Sequence, residues 1–326
     1  MQLRILTAED VHRALPMPKA IEVMKRAFGQ LSANQAEVPL RTRLQTDQGL
    51  LLLMPAFMRQ SRELAFKMVS VWGENPSQGL PAVIALAVVI DPDTGMPLAL
   101  LNGEALTAIR TGAGGGLAAD LLARPEAAVV AVFGAGVQAR AQLEAVCAVR
   151  PVSEVRIISR TGASAEAFAA AVQAWPAAPT VVLPVSPSAA VRGADIILAG
   201  TTSTTPVFDG RDLSPGAHIT GVGSFTPQMQ EVDEITVQQA KIVVDSRQAS
   251  LAEAGDLIIP MQKGLISESS IHAELGEIVN GHKPGRESPE EITFFKSVGV
   301  AVQDATAANE ILRAAEADGL GVLVEL

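Results

Sequence analysis

From Thr7 to about Leu31 apolar side chains recur at every third or fourth position, a spacing that predicts an amphipathic helix. Thr7, with Asp10 three residues on, carries the pattern of a capping box at its start. Short β-like runs follow at residues 50–54, 64–71 and 81–90, separated by turn-forming stretches at 73–79 and 91–95. Strands that succeed one another so closely predict an antiparallel or mixed sheet. Residues 104–123 have the alanine and leucine content of a helix, which Arg124-Pro125 ends.

Beyond Pro125 the pattern alternates. Strand-like runs at 127–133, 154–159, 180–185 and 195–199 are interleaved with helix-like runs at 137–149 and 164–174, and further β-like runs lie at 218–222 and 241–244. Such alternation implies parallel strands with crossover helices. Residues 292–317 read as one long amphipathic helix, with Phe295, Val298, Val302, Ala305 and Ile311 near helical spacing. With no strand partner, this helix is expected to pack back on the first part of the chain. The pattern therefore predicts an α/β protein with a Rossmann-type parallel-sheet domain over residues 121–299. Residues 1–120 and 300–326 are expected to form a second, α+β domain.

Composition narrows the function. The 326 residues are 48% hydrophobic, enough for two well-buried cores. A formal charge of −10 offers no clustered cationic surface for a nucleic acid. Cys147 is the only cysteine, so neither an internal disulfide nor a cysteine metal cluster can form, and the reducing cytoplasm is the expected compartment. His12, His218, His272 and His282 are scattered, and no metal is expected. The longest apolar run, residues 81–90, is short of the roughly 20 residues a bilayer-spanning helix needs, and no leader pattern is found. No membrane partner is expected.

The strand-like run at 127–133 leads directly into Gly134-Ala135-Gly136-Val137-Gln138-Ala139 and then a helix. Gly134 suits a tight turn, Gly136 lets a pyrophosphate approach the backbone, and Ala139 permits close helix–strand packing. The phosphates would then meet free N–H groups at the helix N-terminus. At the end of the next strand, NAD-preferring sites carry an acid that accepts the ribose hydroxyls. Here the chain reads Ser159-Arg160-Thr161, whose guanidinium and hydroxyls suit a 2′-phosphate, so NADPH is expected as cofactor, with NADH possible. Three cations sit among apolar neighbours, Arg41, Lys67 and Arg110, and their convergence on a substrate carboxylate is one reading. Surface cations with snorkelling stems are the other.

Together, several segments of the chain resemble the ornithine cyclodeaminase and mu-crystallin family. They are Leu53-Met54-Pro55, Phe66-Lys67, Asp91-Pro92 to Gly95, Thr107-Ala108-Ile109-Arg110-Thr111, the Gly134–Ala139 motif, Gly221-Val222-Gly223 and Phe295-Lys296-Ser297-Val298-Gly299. The resemblance implies a Rossmann domain and a substrate-binding and dimerisation domain whose sheet forms a homodimer. It implies that Arg41 and Lys67 hold the substrate carboxylate and that Arg110 lies near both substrate and nicotinamide. It also implies cofactor contacts from Gly134, Gly136, Val137, Gln138, Ser159, Arg160, Thr161, Thr201, Val222, Gly223 and Ser297.

Departures from the family pattern refine the activity. The family's cyclodeaminases and alanine dehydrogenases carry an aspartate after the Gly-x-Gly element, where this chain reads Gly223-Ser224-Phe225-Thr226-Pro227. Leu52 stands where a cyclodeaminase places a glutamate, and Ala82 where a threonine is common. Without those carboxylates a diamine substrate would bury an unpaired charge. The pattern is closer to the family's ketimine reductases, with Lys67 and Arg110 as catalytic residues and a small cyclic imino acid as substrate. Two alternatives stand beside it. An ornithine cyclodeaminase or amino-acid dehydrogenase would need Glu231 or Glu253 to replace the missing acids, and a non-catalytic NADPH-dependent ligand-binding protein would turn nothing over.

Overall fold

The computed structural model describes residues 2–326. The chain forms two compact units, one from the chain up to Arg110 together with Val300–Leu326, the other from Thr111–Gly299. The division falls inside the helix Gly103–Leu122 rather than near its end.

In the first unit the expected N-terminal helix is two helices, Ala8–Ala14 and Met17–Ser32. Pro16 separates them, because proline drives the residue before it out of helical backbone and itself sits extended at the second N-cap. The Thr7–Asp10 capping box is formed. The strands are β1 (Gln2–Leu6), β2 (Ala36–Glu37), β3 (Thr42–Gln45), β4 (Leu50–Met58), β5 (Glu63–Val71), β6 (Val83–Ile90) and β7 (Pro97–Asn102), with a further C-terminal strand Val322–Glu325. Their order is C-terminal strand, β1, β7, β6, β5, β4, β2, with β3 also paired to β4. Only β1 and β7 run parallel; the other pairs are antiparallel, so the sheet is mixed. Sequence patterning leaves β1, β2, β3, β7 and the C-terminal strand unassigned.

Register sorts the side chains of this sheet into two faces. One face carries the cross-strand rows Met54–Lys67–Ala87–Leu101 and Ala56–Ala65–Val89–Ala99, all buried. The C-terminal helix Ala301–Asp318 packs on β4, β5 and β6 and on the helix Met17–Ser32. The opposite face carries Leu53–Met68–Leu86 and Pro55–Phe66–Val88–Leu100, apolar rows that stay partly exposed.

The second unit is a parallel sheet of β8 (Val129–Phe133), β9 (Glu154–Ile158), β10 (Thr180–Val182), β11 (Ile196–Ala199), β12 (His218–Gly221), β13 (Lys241–Val244), β14 (Ile271–Glu274) and β15 (Thr293–Lys296). The order is β10-β9-β8-β11-β12-β15-β13-β14, every pair parallel. Connections run outward to either side of β8 and β11, which makes the ends of these two strands the switch point of a doubly wound sheet. Val130, Val132, Leu143, Val155, Ile157, Phe168 and Leu198 build the core beside it.

The expected helix over 292–317 is overturned in its first third. Thr293–Lys296 is a strand between β12 and β13, all four residues fully buried, and the helix begins only at Ala301. Four apolar or stem-bearing residues buried on both faces look alike as strand or helix by periodicity. Gly299, at φ 80, then redirects the chain. Among the described residues no helix is long and apolar enough to cross a membrane.

Candidate active site

Lys67 lies in the middle of β5 on the buried face, between Met54 and Ala87, and is 1% exposed. A lysine there needs an anion, and the C-terminal helix supplies one. Asp304 Oδ1 accepts a hydrogen bond from Lys67 Nζ at 2.8 Å and lies 3.0 Å from Arg110 Nε. Thr107 Oγ1, one helical turn before Arg110, accepts from Lys67 at 3.2 Å and donates its own proton to the carbonyl of Gly103. Arg110 Nη1 donates to Gln303 Oε1 at 2.9 Å, while Nε faces Asp304 as an ion pair off the hydrogen-bonding direction, so neighbouring residues of the C-terminal helix engage the guanidinium at two points.

Two of the three predicted cations therefore meet on one buried carboxylate. Arg41, in the loop before β3, contributes its charge: burial and Arg110 depress the Lys67 pKa, Asp304 pulls it back up, Arg41 depresses it further, and it comes to about 7. The ammonium is thus poised to give up a proton near neutrality. Lys67 and Arg110 share one oxygen of one aspartate, two cations on a single acid, an arrangement suited to a carboxylate ligand. Asp304 Oδ2 is buried without a hydrogen-bond partner among the described residues.

Sequence reasoning missed Asp304. Its signal was present: an acid on the same helical face as Val300, Ala307, Ala308 and Ile311, the face that meets the core. A carboxylate on such a stripe is costly unless a cation waits for it.

In the second unit, the residues assigned to the cofactor stand at the C-terminal ends of adjacent strands. Gly134 has φ 105, and a Cβ there would lie 2.6 Å from the carbonyl oxygen of Gly200, so only glycine fits. Gly136 is the N-cap of the helix Val137–Val149, makes no side-chain cap bond, and faces open space. Ala139 is fully buried against Gly200. Gln138 Oε1 is a buried oxygen without a partner among the described residues. The open cradle and the uncapped helix start, whose N–H groups are donors, fit a pyrophosphate.

Ser159, Arg160 and Thr161 follow β9. Thr161 caps the helix Gly162–Gln173, Ser159 donates to the Thr161 carbonyl at 2.8 Å, and Arg160 is exposed with no acid beside it in this turn. Thr201 follows β11, Val222 and Gly223 follow β12, and Ser297 follows β15. Glu231 does not replace a missing substrate-binding acid: its two oxygens already accept four hydrogen bonds from Thr201, Gly223 and Ser224. Glu253 is buried at the end of the helix Arg247–Glu253.

The model of the ornithine cyclodeaminase/mu-crystallin family matches residues 1–318. The chain belongs to that family. It is 40% identical over 324 residues to a Delta(1)-pyrroline-2-carboxylate reductase of Bacillus cereus, covering 98% of this chain and 99% of the relative. Among solved structures, the Thermococcus litoralis Delta(1)-pyrroline-2-carboxylate reductase in complex with NADH and L-proline superposes with a TM-score of 0.93 at 41% identity, over 98% of this chain and 99% of that one. An archaeal alanine dehydrogenase dimer with bound NAD gives a TM-score of 0.93 at 32% identity, with both chains fully covered. The protein is a nicotinamide-dependent oxidoreductase of this family.

Proposed function

We propose that the chain reduces a cyclic ketimine carboxylate, Δ1-pyrroline-2-carboxylate or its six-membered homologue Δ1-piperideine-2-carboxylate, to L-proline or L-pipecolate. The observation that carries this reading is the cluster in which Lys67 and Arg110 share one oxygen of Asp304. Such a substrate has one carboxylate and one ring C=N, and the cluster offers surplus positive charge for the first and a proton for the second. Arg41, Lys67 and Arg110 hold the carboxylate. Lys67 gives its proton to the imine nitrogen, which makes the ring carbon electrophilic, and Asp304 keeps the ammonium populated against the pull of burial. A reduced nicotinamide supplies the hydride that the imine carbon takes up. Lys67 is left as a neutral amine and recovers a proton from solvent.

The proposed reductant is NADPH. Arg160 supports it, because an exposed guanidinium at the end of β9, without a neighbouring acid, suits a 2′-phosphate. The proposed assembly is a homodimer in which a second copy covers the rows Leu53–Met68–Leu86 and Pro55–Phe66–Val88–Leu100. An apolar sheet face of this extent is uncommon on a monomer, and the similar alanine dehydrogenase is a dimer.

The deciding experiment is the initial rate of NADPH oxidation with Δ1-pyrroline-2-carboxylate, run beside pyruvate plus ammonia and beside an ammonia-release assay on ornithine with NAD. Rapid oxidation with the cyclic imine alone is expected; turnover only of pyruvate or ornithine would overturn the reading. For the proton donor, kcat/KM should fall as pH rises through about 7, since Lys67 must be protonated to act. Asp304→Asn removes the anion that holds this pKa up, so the descending limb should move to lower pH, while Lys67→Met should lower kcat/KM by about a hundredfold or more. Ionisation of the free imine is common to all three proteins, so an unmoved limb in Asp304→Asn would exclude Lys67 as its source. Arg160→Ala should lower kcat/KM for NADPH by about tenfold and leave NADH unchanged; equal losses would refute the phosphate contact. Met68→Glu should turn a dimeric mass into a monomeric one in light scattering, and an unaltered mass would place any dimer contact elsewhere.

A further inference from the structure

The second unit holds a buried ionic group that the glycine motif does not explain. Glu231, Asp256 and Lys296 each have no exposed surface. Glu231 Oε1 accepts from the N–H and hydroxyl of Thr201 at 2.5 and 2.8 Å, and Oε2 accepts from the N–H groups of Gly223 and Ser224 at 2.6 and 3.0 Å. One oxygen thus serves the turn after β11, the other the turn after β12. These turns touch: a Cβ on Gly223 would stand 2.0 Å from the carbonyl oxygen of Thr201 and 2.5 Å from Glu231 Oε1. Glu231 is itself held, since its N–H and that of Val232 donate to Asp256 Oδ1 at 2.6 and 3.0 Å. Asp256 Oδ2 lies 2.8 Å from Lys296 Nζ, an ion pair off the hydrogen-bonding direction. Lys296 ends β15, and the next residue, Ser297, donates its hydroxyl to Asp245 Oδ2 at 2.7 Å.

We infer that Glu231 is a positioning residue that sets the turns after β11 and β12 for the nicotinamide half of the dinucleotide. In a doubly wound sheet the two halves of a dinucleotide lie on opposite sides of the switch point. The β8 and β9 side carries the glycine motif and Ser159-Arg160-Thr161, and Glu231 touches neither. Both turns it binds lie on the other side. Four donors converge on its two oxygens, an arrangement an amide cannot reproduce because its NH₂ would face donors. Burial raises the Glu231 pKa, Lys296 opposes this and Asp256 adds to it, so the ammonium of Lys296 is the charge that keeps the carboxylate able to accept.

The test is binding, read by calorimetry on the full chain: NADPH against 2′-phospho-ADP-ribose, and NADH against ADP-ribose. Each second ligand keeps the adenosine and pyrophosphate but lacks the nicotinamide. Glu231→Gln should weaken the whole dinucleotide by about tenfold or more and change the fragment by less than about twofold. Glu231→Asp keeps the charge but cannot reach both turns; it should show the same selective loss, smaller in size, and serves if the glutamine variant does not fold. Wild-type affinity for both ligands, or an equal loss for both, would overturn the inference, the second outcome marking a general structural role. The inference rests on nicotinamide binding alone, so a chain that reduces no cyclic imine still decides it.

Discussion

Asp304 Oδ1, 2.8 Å from Lys67 Nζ and 3.0 Å from Arg110 Nε, joins three elements far apart in sequence at a point from which water is excluded. Taking a charge out of water costs several kcal/mol, and removing one partner of a buried pair is destabilising by about 3–5 kcal/mol. The arrangement therefore constrains everything around it. A slip of β5 by one residue would turn Lys67 to the opposite face of the sheet and leave Asp304 opposite Phe66 or Met68, neither of which carries a charge. A rotation of the C-terminal helix would do the same from the other side. Strand register, helix phase and the return of the chain at Val300 are tied to one oxygen atom.

That dependence explains what could be read from the sequence. Alternation of strand and helix after Pro125 and the turn Gly134–Ala139 are local patterns, and the parallel sheet with its strand-to-helix turn follows them closely. The two helices Ala8–Ala14 and Met17–Ser32 are legible to within the break at Pro16. The failures are long-range. Thr293–Lys296 becomes a strand because β12 and β13 leave a slot between them, a fact that no window of twenty residues contains. Val322–Glu325 and β1 are strands because they pair with each other. Asp304 gains its meaning from Lys67, separated from it by more than two-thirds of the chain.

The second unit uses the same device with the signs exchanged. There, buried carboxylates collect backbone N–H groups at the ends of parallel strands: Glu231 for the turns after β11 and β12, Asp245 for Val298 and Gly299 after β15. Irregular backbone at a strand end leaves donors without ladder partners, and buried donors must be satisfied. A carboxylate meets several at once and fixes the turn in one shape. Lys296 supplies the countercharge, since two carboxylates, Glu231 and Asp256, lie within its reach.

The proposed substrate, a monocarboxylate with a ring imine, and a diamine make different electrostatic demands on the cluster of Lys67, Arg110 and Asp304. A cyclodeaminase substrate brings an additional ammonium, which needs an acid of its own inside the pocket. Asp304 cannot serve, because its charge is already opposed by Lys67 and Arg110, with Arg41 adding to the positive side. Glu231 cannot, because its four hydrogen bonds hold strand-end turns of the second unit. Leu52, where a cyclodeaminase places a glutamate, is buried and apolar. A second ammonium beside Lys67 and Arg110 adds to the two cations that already share Asp304, whereas a carboxylate opposes them. At the Lys67–Asp304–Arg110 cluster that difference favours the proposed monocarboxylate.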